Sequence, residues 1–397
     1  MPLASLADQL ARLDASSASY AQEVAELVLN LAIELDASDL HLQPTATHYV
    51  VRARLDGVLH GVAEIPRGEK TDLVARLKVL AGLLTYRTDL PQEGRIQEPP
   101  EGYELRVSTF PVLHGERVVV RLFRHESHYH TPDQLGLPES VLAGLRENLQ
   151  ETAGLILITG PAGSGKSTTS YACLRYLAAE TAGARSIVTL EDPIEIEIPG
   201  ISQSQIHPPS GFDFPTGLRS LLRQDPEVIL VGEIRDRTTA EIAMQASLTG
   251  QLVLSTFHAG SAAEAISRLI EMEIPPYVVS SGLLAVLHQR LVRKLCACAT
   301  PCADEQRLGF DLAGLKAPAG CDACQQTGYR GRIPLVEYLV PGRHGVNLAH
   351  LQATDSRSIG EQAARHGMTS RWTMARQLLE SGQTSPAEIR RVLGFGE

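Results

Sequence analysis

Gly160-Pro161-Ala162-Gly163-Ser164-Gly165-Lys166-Ser167 fits the pattern G-x-x-x-x-G-K-[ST], a match that composition alone produces in roughly one chain in a hundred of this length. The spacing suits a loop that wraps phosphates. Glycines let backbone N–H groups turn inward, and a following helix adds positive potential at its N-terminus. Lys166 is then expected to reach the β and γ phosphates, and the Ser167 hydroxyl to coordinate Mg²⁺. The candidate phosphate-binding set runs from Gly160 to Thr168. No N-K-x-D or T-K-x-D guanine-reading motif occurs, so the expected nucleotide is ATP.

Two acidic clusters follow. Glu227-Val228-Ile229-Leu230-Val231-Gly232-Glu233 is an apolar strand pattern ending in an acid. A carboxylate there can orient Mg²⁺ or water beside a γ-phosphate. Thr189-Leu190-Glu191-Asp192-Pro193-Ile194-Glu195 ends another apolar run, and strand ends carry the ligands in open α/β sheets. Without the phosphate loop, both would read as surface acids closing core strands.

Five of the six cysteines fall between Cys296 and Cys324. Cys321-x-x-Cys324 has the spacing of half a zinc site. The other half is irregular: Cys296, Cys298 and Cys302 compete, and Cys298 with Cys302 falls within the C-x₂₋₄-C range. We expect a structural Zn²⁺ that folds a segment with too few apolar residues to hold itself together. The alternative is a reduced, metal-free loop. Cys173 stands alone in a helical pattern and reads as a small buried hydrophobe.

The elements that must position these residues are legible from periodicity. Residues 1–19 read as a flexible tail. Val24, Leu27, Val28, Leu31 and Leu35 repeat at helical spacing. Strands are predicted over Tyr49–Leu55, Tyr103–Phe110 and Arg117–Phe123, with hairpin signals at Asp56-Gly57 and His114-Gly115. A helix is predicted from about Lys70 to Leu84. Residues 20–124 thus form a small α+β domain, followed by a polar linker over 125–134 that carries His125, His128 and His130. From Leu135 to Leu291, unbroken apolar runs at 155–159, 186–190, 228–231 and 252–256 alternate with helices. That pattern suits a parallel sheet covered on both faces. A last helix is marked by Ser385 as N-cap, Pro386, Glu388 completing a capping box, and Gly394 as stop.

Composition sets the outer limits. The chain has 397 residues, 43% of them apolar, and a formal net charge of −10. That balance speaks against direct nucleic-acid binding, which relies on a basic surface. No basic, apolar leader opens the chain, and no apolar run reaches the ~18 residues of a membrane span. The expectation is a cytoplasmic protein that meets the inner membrane only through partners.

The motifs taken in order resemble a family. TGPAGSGKSTTSYA (Thr159–Ala172), LEDPIE (Leu190–Glu195), RQDPEVILVGEIRD (Arg223–Asp236) and TGQLVLSTFH (Thr249–His258) are similar to the Walker A, Asp-box, Walker B and His-box segments of the type II secretion and type IV pilus assembly ATPases. ASDLHLQP, VRARLDGVL, LPQEGRI and GERVVVRL resemble the family's domain before the motor. GYRGR at Gly328–Arg332 and the closing GMTS…SGQTSPAEIRRV stretch complete the match, which covers the chain from about Tyr20 onward.

The resemblance implies an α/β fold with a RecA-like P-loop NTPase core, a smaller α+β N-terminal domain, a Cys-rich zinc insertion and a helical C-terminus. The implied domains are 20–124, 135–292 for the ATPase core, 293–332 for the zinc module and 333–397 for the helical end. It implies Glu195 as base for the attacking water, Glu233 as the Walker B acid near Mg²⁺, and His258 as a γ-phosphate sensor. Arg95 and Arg106 would bring positive charge to the γ-phosphate. It implies a homo-hexamer recruited by inner-membrane secretion or pilus platform proteins. The expected function is a cytoplasmic ATPase motor driving pseudopilus assembly in type II secretion. The alternatives are a type IV pilus assembly or retraction motor, or a competence-associated translocation ATPase.

Four features depart from the pattern. Gln251 stands where the His-box opens with His. The family's second C-x-x-C would place a ligand at Ala299. Ser370-Arg371-Trp372-Thr373-Met374 replaces an LRDDG-like segment. Only about twenty residues precede the first matched helix, so the chain reads either as truncated or as a short form that docks without the family's extra N-terminal domain.

Overall fold

The computed structural model describes residues 10, 13, 14, 17, 19–68, 72–124, 129–347 and 356–395. Most of the expected tail lies outside them, as do His125 and His128 of the expected linker. The chain divides into two compact units. One comprises Met1–Glu126, Cys296–Ala299 and Pro318–Gly331, and the other Ser127–Leu295, Thr300–Ala317 and Arg332–Glu397.

The first unit begins with helix α1 (Tyr20–Glu34) and strands β1 (Asp39–Pro44), β2 (His48–Leu55) and β3 (Val58–Pro66). After helix α2 (Leu73–Leu80) come β4 (Gln92–Arg95), β5 (Tyr103–Val112) and β6 (Gly115–Arg124). The strands form one six-stranded sheet in the order β3-β2-β1-β6-β5-β4. Asp56 and Gly57 both take positive φ, 47° and 85°, the two-residue turn that matches the twist of the flanking strands. α2 is shorter than the pattern suggested. Asp72 caps it by accepting from the Ala75 N–H at 2.9 Å, and Ala81 closes it. Alternate strand residues such as Leu40, Leu42, Val51, Val118 and Val120 are buried with Val24, Val28, Leu73 and Leu77 of the helices. Within this core the Lys78 ammonium is fully buried, and lies 2.7 Å from the Glu116 carboxylate and from the Arg87 carbonyl.

The second unit holds helices α3 (Glu139–Leu149), α4 (Lys166–Glu180), α5 (Phe214–Leu221), α6 (Arg237–Leu248), α7 (Ala262–Glu271) and α8 (Pro276–Gly282). Its main strands are β7 (Gly154–Thr159), β8 (Ile187–Glu191), β9 (Ser202–Gln205), β10 (Val228–Val231), β11 (Leu252–Phe257) and β12 (Leu283–Leu295). A short pair, β13 (Thr300–Pro301) with β14 (Lys316–Ala317), precedes β15 (Tyr329–Leu339). The end of the chain is helical: α9 (Ser356–Arg365), α10 (Arg371–Glu380) and α11 (Pro386–Leu393).

The large sheet runs β15-β12-β7-β11-β10-β8-β9, and β12, β7, β11, β10, β8 and β9 pair in parallel. Both faces are covered. Leu155, Leu157, Ile229, Val231 and Val253 pack with α5 to α8. The intervening Ile156, Val228, Leu230, Leu252 and Leu254 pack with α3, α4, α10 and α11. This two-sided burial is why the strands read as unbroken apolar runs rather than alternating ones. Cys173 lies in the second of these layers, fully buried, and burial pushes its thiol up to about 12.

The C-terminal end is tied down by charge. Ser385 caps α11 by accepting from the Glu388 N–H at 3.2 Å. The fully buried Glu388 carboxylate takes Arg293 Nε at 2.9 Å and Arg391 Nε at 2.8 Å. Burial alone would raise the Glu388 carboxyl, but these bonds outweigh it and hold it below the ordinary value. Among the described residues, no helix is long and apolar enough to cross a membrane.

Candidate nucleotide site and metal centre

Parallel pairing brings the carboxyl ends of β7, β11, β10 and β8 to one edge of the sheet, where α/β folds bind ligands. The loop after β7 is the expected phosphate loop. Gly160 has φ +146°, and a Cβ there would lie 2.2 Å from the Gln289 carbonyl oxygen. Gly165, with φ +87°, is the N-cap of α4. Backbone clearance thus forces glycine at the first position and favours it at the last.

Lys166 Nζ curls across the loop to the carbonyls of Gly160 (2.9 Å) and Pro161 (3.1 Å). Burial lowers its pKa, while the nearby Glu233 and Glu195 carboxylates oppose that shift. The Ser167 hydroxyl donates to Glu195 Oε1 at 3.1 Å. A cleft of about 260 Å³ opens here, lined by Lys166, Ser167, Glu195, Glu233 and His258 among others. Ser170 and Tyr171, one turn further along α4, line it too, whereas Thr168 does not.

Glu195 is held in place by a residue the motif reading passed over. The Tyr171 hydroxyl accepts the Glu195 N–H at 3.1 Å and donates to the Glu191 carboxylate. Glu191, buried at the end of β8, also accepts from Thr189 Oγ1 at 2.5 Å and Gln203 Nε2 at 3.1 Å. Burial, and then the bond to Glu191, pushes the Tyr171 hydroxyl well above its ordinary value, so it stays a donor. The acidic turn after β8 is therefore pinned to the helix that carries Lys166 and Ser167.

Glu233 follows β10 and meets two side chains, Arg235 and His258. Arg235 bonds its Oε1 and also lies 3.5 Å from Asp192 Oδ2. His258 Nε2, after β11, lies 3.6 Å from Glu233 Oε2. Burial and the Lys166 charge lower the His258 pKa more than Glu233 raises it, which favours the neutral imidazole at pH 7. Only β11 separates β7 from β10, a gap of about 10 Å between strands two places apart. That spacing suits a triphosphate bound on the loop with an acid facing its far end.

Arg95 and Arg106 belong to the N-terminal unit. They are cross-strand partners on β4 and β5, an arrangement that like charges disfavour. Glu104 resolves it: its Oε1 lies 3.0 Å from Arg95 Nη2 and 2.6 Å from Arg106 Nε. The Arg106 guanidinium also stacks over the Phe123 ring at 4.7 Å.

Two departures acquire places. Gln251 stands at the entry of β11, the opposite end of that strand from His258, and its side chain bonds its neighbour Thr249. It lies roughly 20 Å from the cleft at 3.3 Å per residue. Arg371, at the start of α10, donates to the Gly260 carbonyl at 2.5 Å, beside His258 in sequence. Glu337, on β15, accepts from the N–H groups of Ala262 (3.0 Å) and Arg371 (3.4 Å), so one buried carboxylate serves two helix N-termini.

Cys296, Cys298, Cys321 and Cys324 bring their four sulfurs within 4.8 Å of one another. Neighbouring sulfurs are 3.7 to 3.8 Å apart. A tetrahedral ion with metal–sulfur bonds of about 2.3 Å puts its sulfurs about 3.8 Å apart, so the four thiols fit Zn²⁺. Burial alone would raise the Cys324 thiol, but the Cys321 and Gly328 N–H groups, each 3.2 Å from its sulfur, help lower it to about 7. Cys302 stands outside the group. It packs against the second core layer of the motor unit, and its N–H bonds the Leu315 carbonyl at 2.9 Å. The ligand pattern is thus C-x-C with C-x-x-C, a spacing the Cys298–Cys302 reading did not anticipate.

The metal prediction is specific. Protein purified under reducing conditions should carry about one Zn²⁺ per chain by elemental analysis. Cys302→Ser should keep the full complement, whereas Cys321→Ser should lose most of it and melt at lower temperature. Equal zinc loss from both variants would reject the four-cysteine assignment.

The fold and the cleft define a P-loop ATPase: a strand, phosphate loop and helix at the carboxyl edge of a parallel sheet, with acids and a histidine closing on it. The chain belongs to the family described as type II/IV secretion system protein, which it matches over residues 14–391. It is 45% identical over 379 residues to type II secretion system protein E of Pseudomonas aeruginosa, covering 92% of this chain and 74% of that one. It is 42% identical over 367 residues to type II secretion system protein HxcR of the same organism, covering 92% and 76%. Among solved structures it resembles the pilus retraction motor PilT with bound ADP, at TM-score 0.58 and 26% identity, covering 93% of this chain and 99% of that one.

Proposed function

We propose that this ATPase is a hexameric motor that drives pseudopilus assembly in type II secretion. The observation that carries the reading is the single cleft joining Lys166, Ser167, Glu195, Glu233 and His258, in a chain whose relatives are named for type II secretion. Inner-membrane platform proteins are the proposed partners.

In the proposed reaction, Lys166 and the loop N–H groups bind the β and γ phosphates. Ser167, with Glu233 beside it, offers the oxygen donors that Mg²⁺ takes; the ion would neutralise charge on the β and γ oxygens. Glu195 accepts the proton of the attacking water. Neutral His258 donates a hydrogen bond toward the γ-phosphate. Arg95 and Arg106, oriented by Glu104, add positive charge as the γ-phosphoryl group leaves.

Sedimentation and turnover measured together test this reading. Turnover per chain should rise with protein concentration in step with a six-subunit mass. Arg106→Ala, assembled to the same mass, should lose roughly 10- to 100-fold in turnover while binding ADP normally, because ADP has no γ-phosphate. A fully active monomer, or an Arg106→Ala assembly with wild-type turnover, would reject the corresponding part.

A further inference from the structure

Strand β12 reaches the phosphate loop from a part of the chain that no nucleotide motif includes. Gln289, 3% exposed, donates from Nε2 to the Ser164 carbonyl at 2.7 Å, inside the loop. Its Oε1 accepts from Thr169 Oγ1 at 3.0 Å, on the first turn of α4. Its backbone carbonyl closes the space beside Gly160. One residue therefore touches the beginning, the middle and the far end of the phosphate loop. The preceding residue braces the strand that leads into the loop: His288 Nδ1 lies 3.2 Å from Thr159 Oγ1.

The chemistry of the amide suits this place. Inside the loop the Ser164 carbonyl needs a donor, and at the helix the Thr169 hydroxyl needs an acceptor. A side-chain amide offers both at once without charge. Buried and doubly bonded, it holds the loop open against the pull of Lys166, which binds two carbonyls on the loop's other limb. A loop kept in its phosphate-accepting curl spends no binding energy on ordering.

We infer that Gln289 is a positioning residue for nucleotide binding: it holds the phosphate loop in shape from outside the four nucleotide motifs. Gln289 does not line the cleft, so its loss should weaken affinity more than it slows turnover. The inference rests on the loop's nucleotide role, which Lys166→Ala tests separately: if that variant binds and hydrolyses normally, the loop reading itself fails.

The experiment compares Gln289→Met, which keeps the volume and loses both bonds, with Leu287→Ala, a cavity in the same strand away from the loop. Each is measured for the dissociation constant of a fluorescent ADP analogue with Mg²⁺, for KM and kcat with ATP, and for melting temperature without nucleotide. Gln289→Met should weaken ADP and raise KM about tenfold, the effect of two buried hydrogen bonds, with kcat within threefold of wild type. Leu287→Ala should melt earlier with ADP affinity within twofold of wild type. Unchanged ADP affinity in Gln289→Met, or equal weakening in Leu287→Ala at equal loss of melting temperature, would overturn the inference. If Gln289→Met does not fold, Thr169→Val decides: about threefold weaker ADP binding supports it, and unchanged binding overturns it.

Discussion

Lys166→Ala should reduce ATP turnover by about 10³-fold or more. The ammonium is the only side-chain cation on the phosphate loop, and it sits partly buried between the loop carbonyls and the carboxylates of Glu195 and Glu233. Without it the phosphate loop has no side-chain cation to offset the repulsion between those two acids and a triphosphate. The loop backbone should survive, because Gly160, Gly165 and Gln289 shape it. The variant should therefore keep its melting temperature while losing both ATP affinity and turnover. A preparation free of contaminating ATPase that hydrolyses within twofold of wild type would remove the loop from the mechanism.

Glu195→Gln should bind nucleotide as wild type does and hydrolyse it about 10³-fold more slowly. The amide is nearly isosteric and can still accept from Ser167, but it cannot take the proton of the attacking water. Glu233→Gln should also slow turnover, by a different route. Its carboxylate holds Arg235 and faces His258, so neutralising it frees the Arg235 guanidinium and disturbs the water and Mg²⁺ positions together. Nucleotide affinity separates the two: it should be retained in Glu195→Gln and altered in Glu233→Gln. If Glu195→Gln turns over normally while Glu233→Gln is dead, the base is Glu233 and the roles exchange.

What was legible in the sequence was local. The phosphate loop, the hairpin at Asp56-Gly57 and the cap at Ser385 are each set by residues within a few positions of one another. Their signals are turn chemistry, side-chain capping and the hydrophobic period. Four of the seven strands of the large sheet, β7, β8, β10 and β11, were legible for the same reason: burial on both faces writes an unbroken apolar run into four to six consecutive residues. Glu233 and the acidic cluster ending in Glu195 could be marked because each follows such a run, whereas the role of Glu195 as base and the choice of His258 came from the family resemblance.

Tertiary structure decided which distant segments meet. Gln289 lies 125 positions after the loop residue it holds, and only the parallel pairing of β12 with β7 brings them together. Tyr171 carried no role in the sequence; the turn after β8 gives it one by folding onto its hydroxyl. Five cysteines within one short segment offered several ligand sets; backbone geometry selected Cys296, Cys298, Cys321 and Cys324 and left Cys302 in the core. Gln251 and His258 shared a motif, yet an extended strand sends its two ends to opposite edges of the sheet. The physical reason is common to all four: strand order and side-chain reach are properties of the packed sheet, and a pairing between distant segments leaves no periodic mark on either of them.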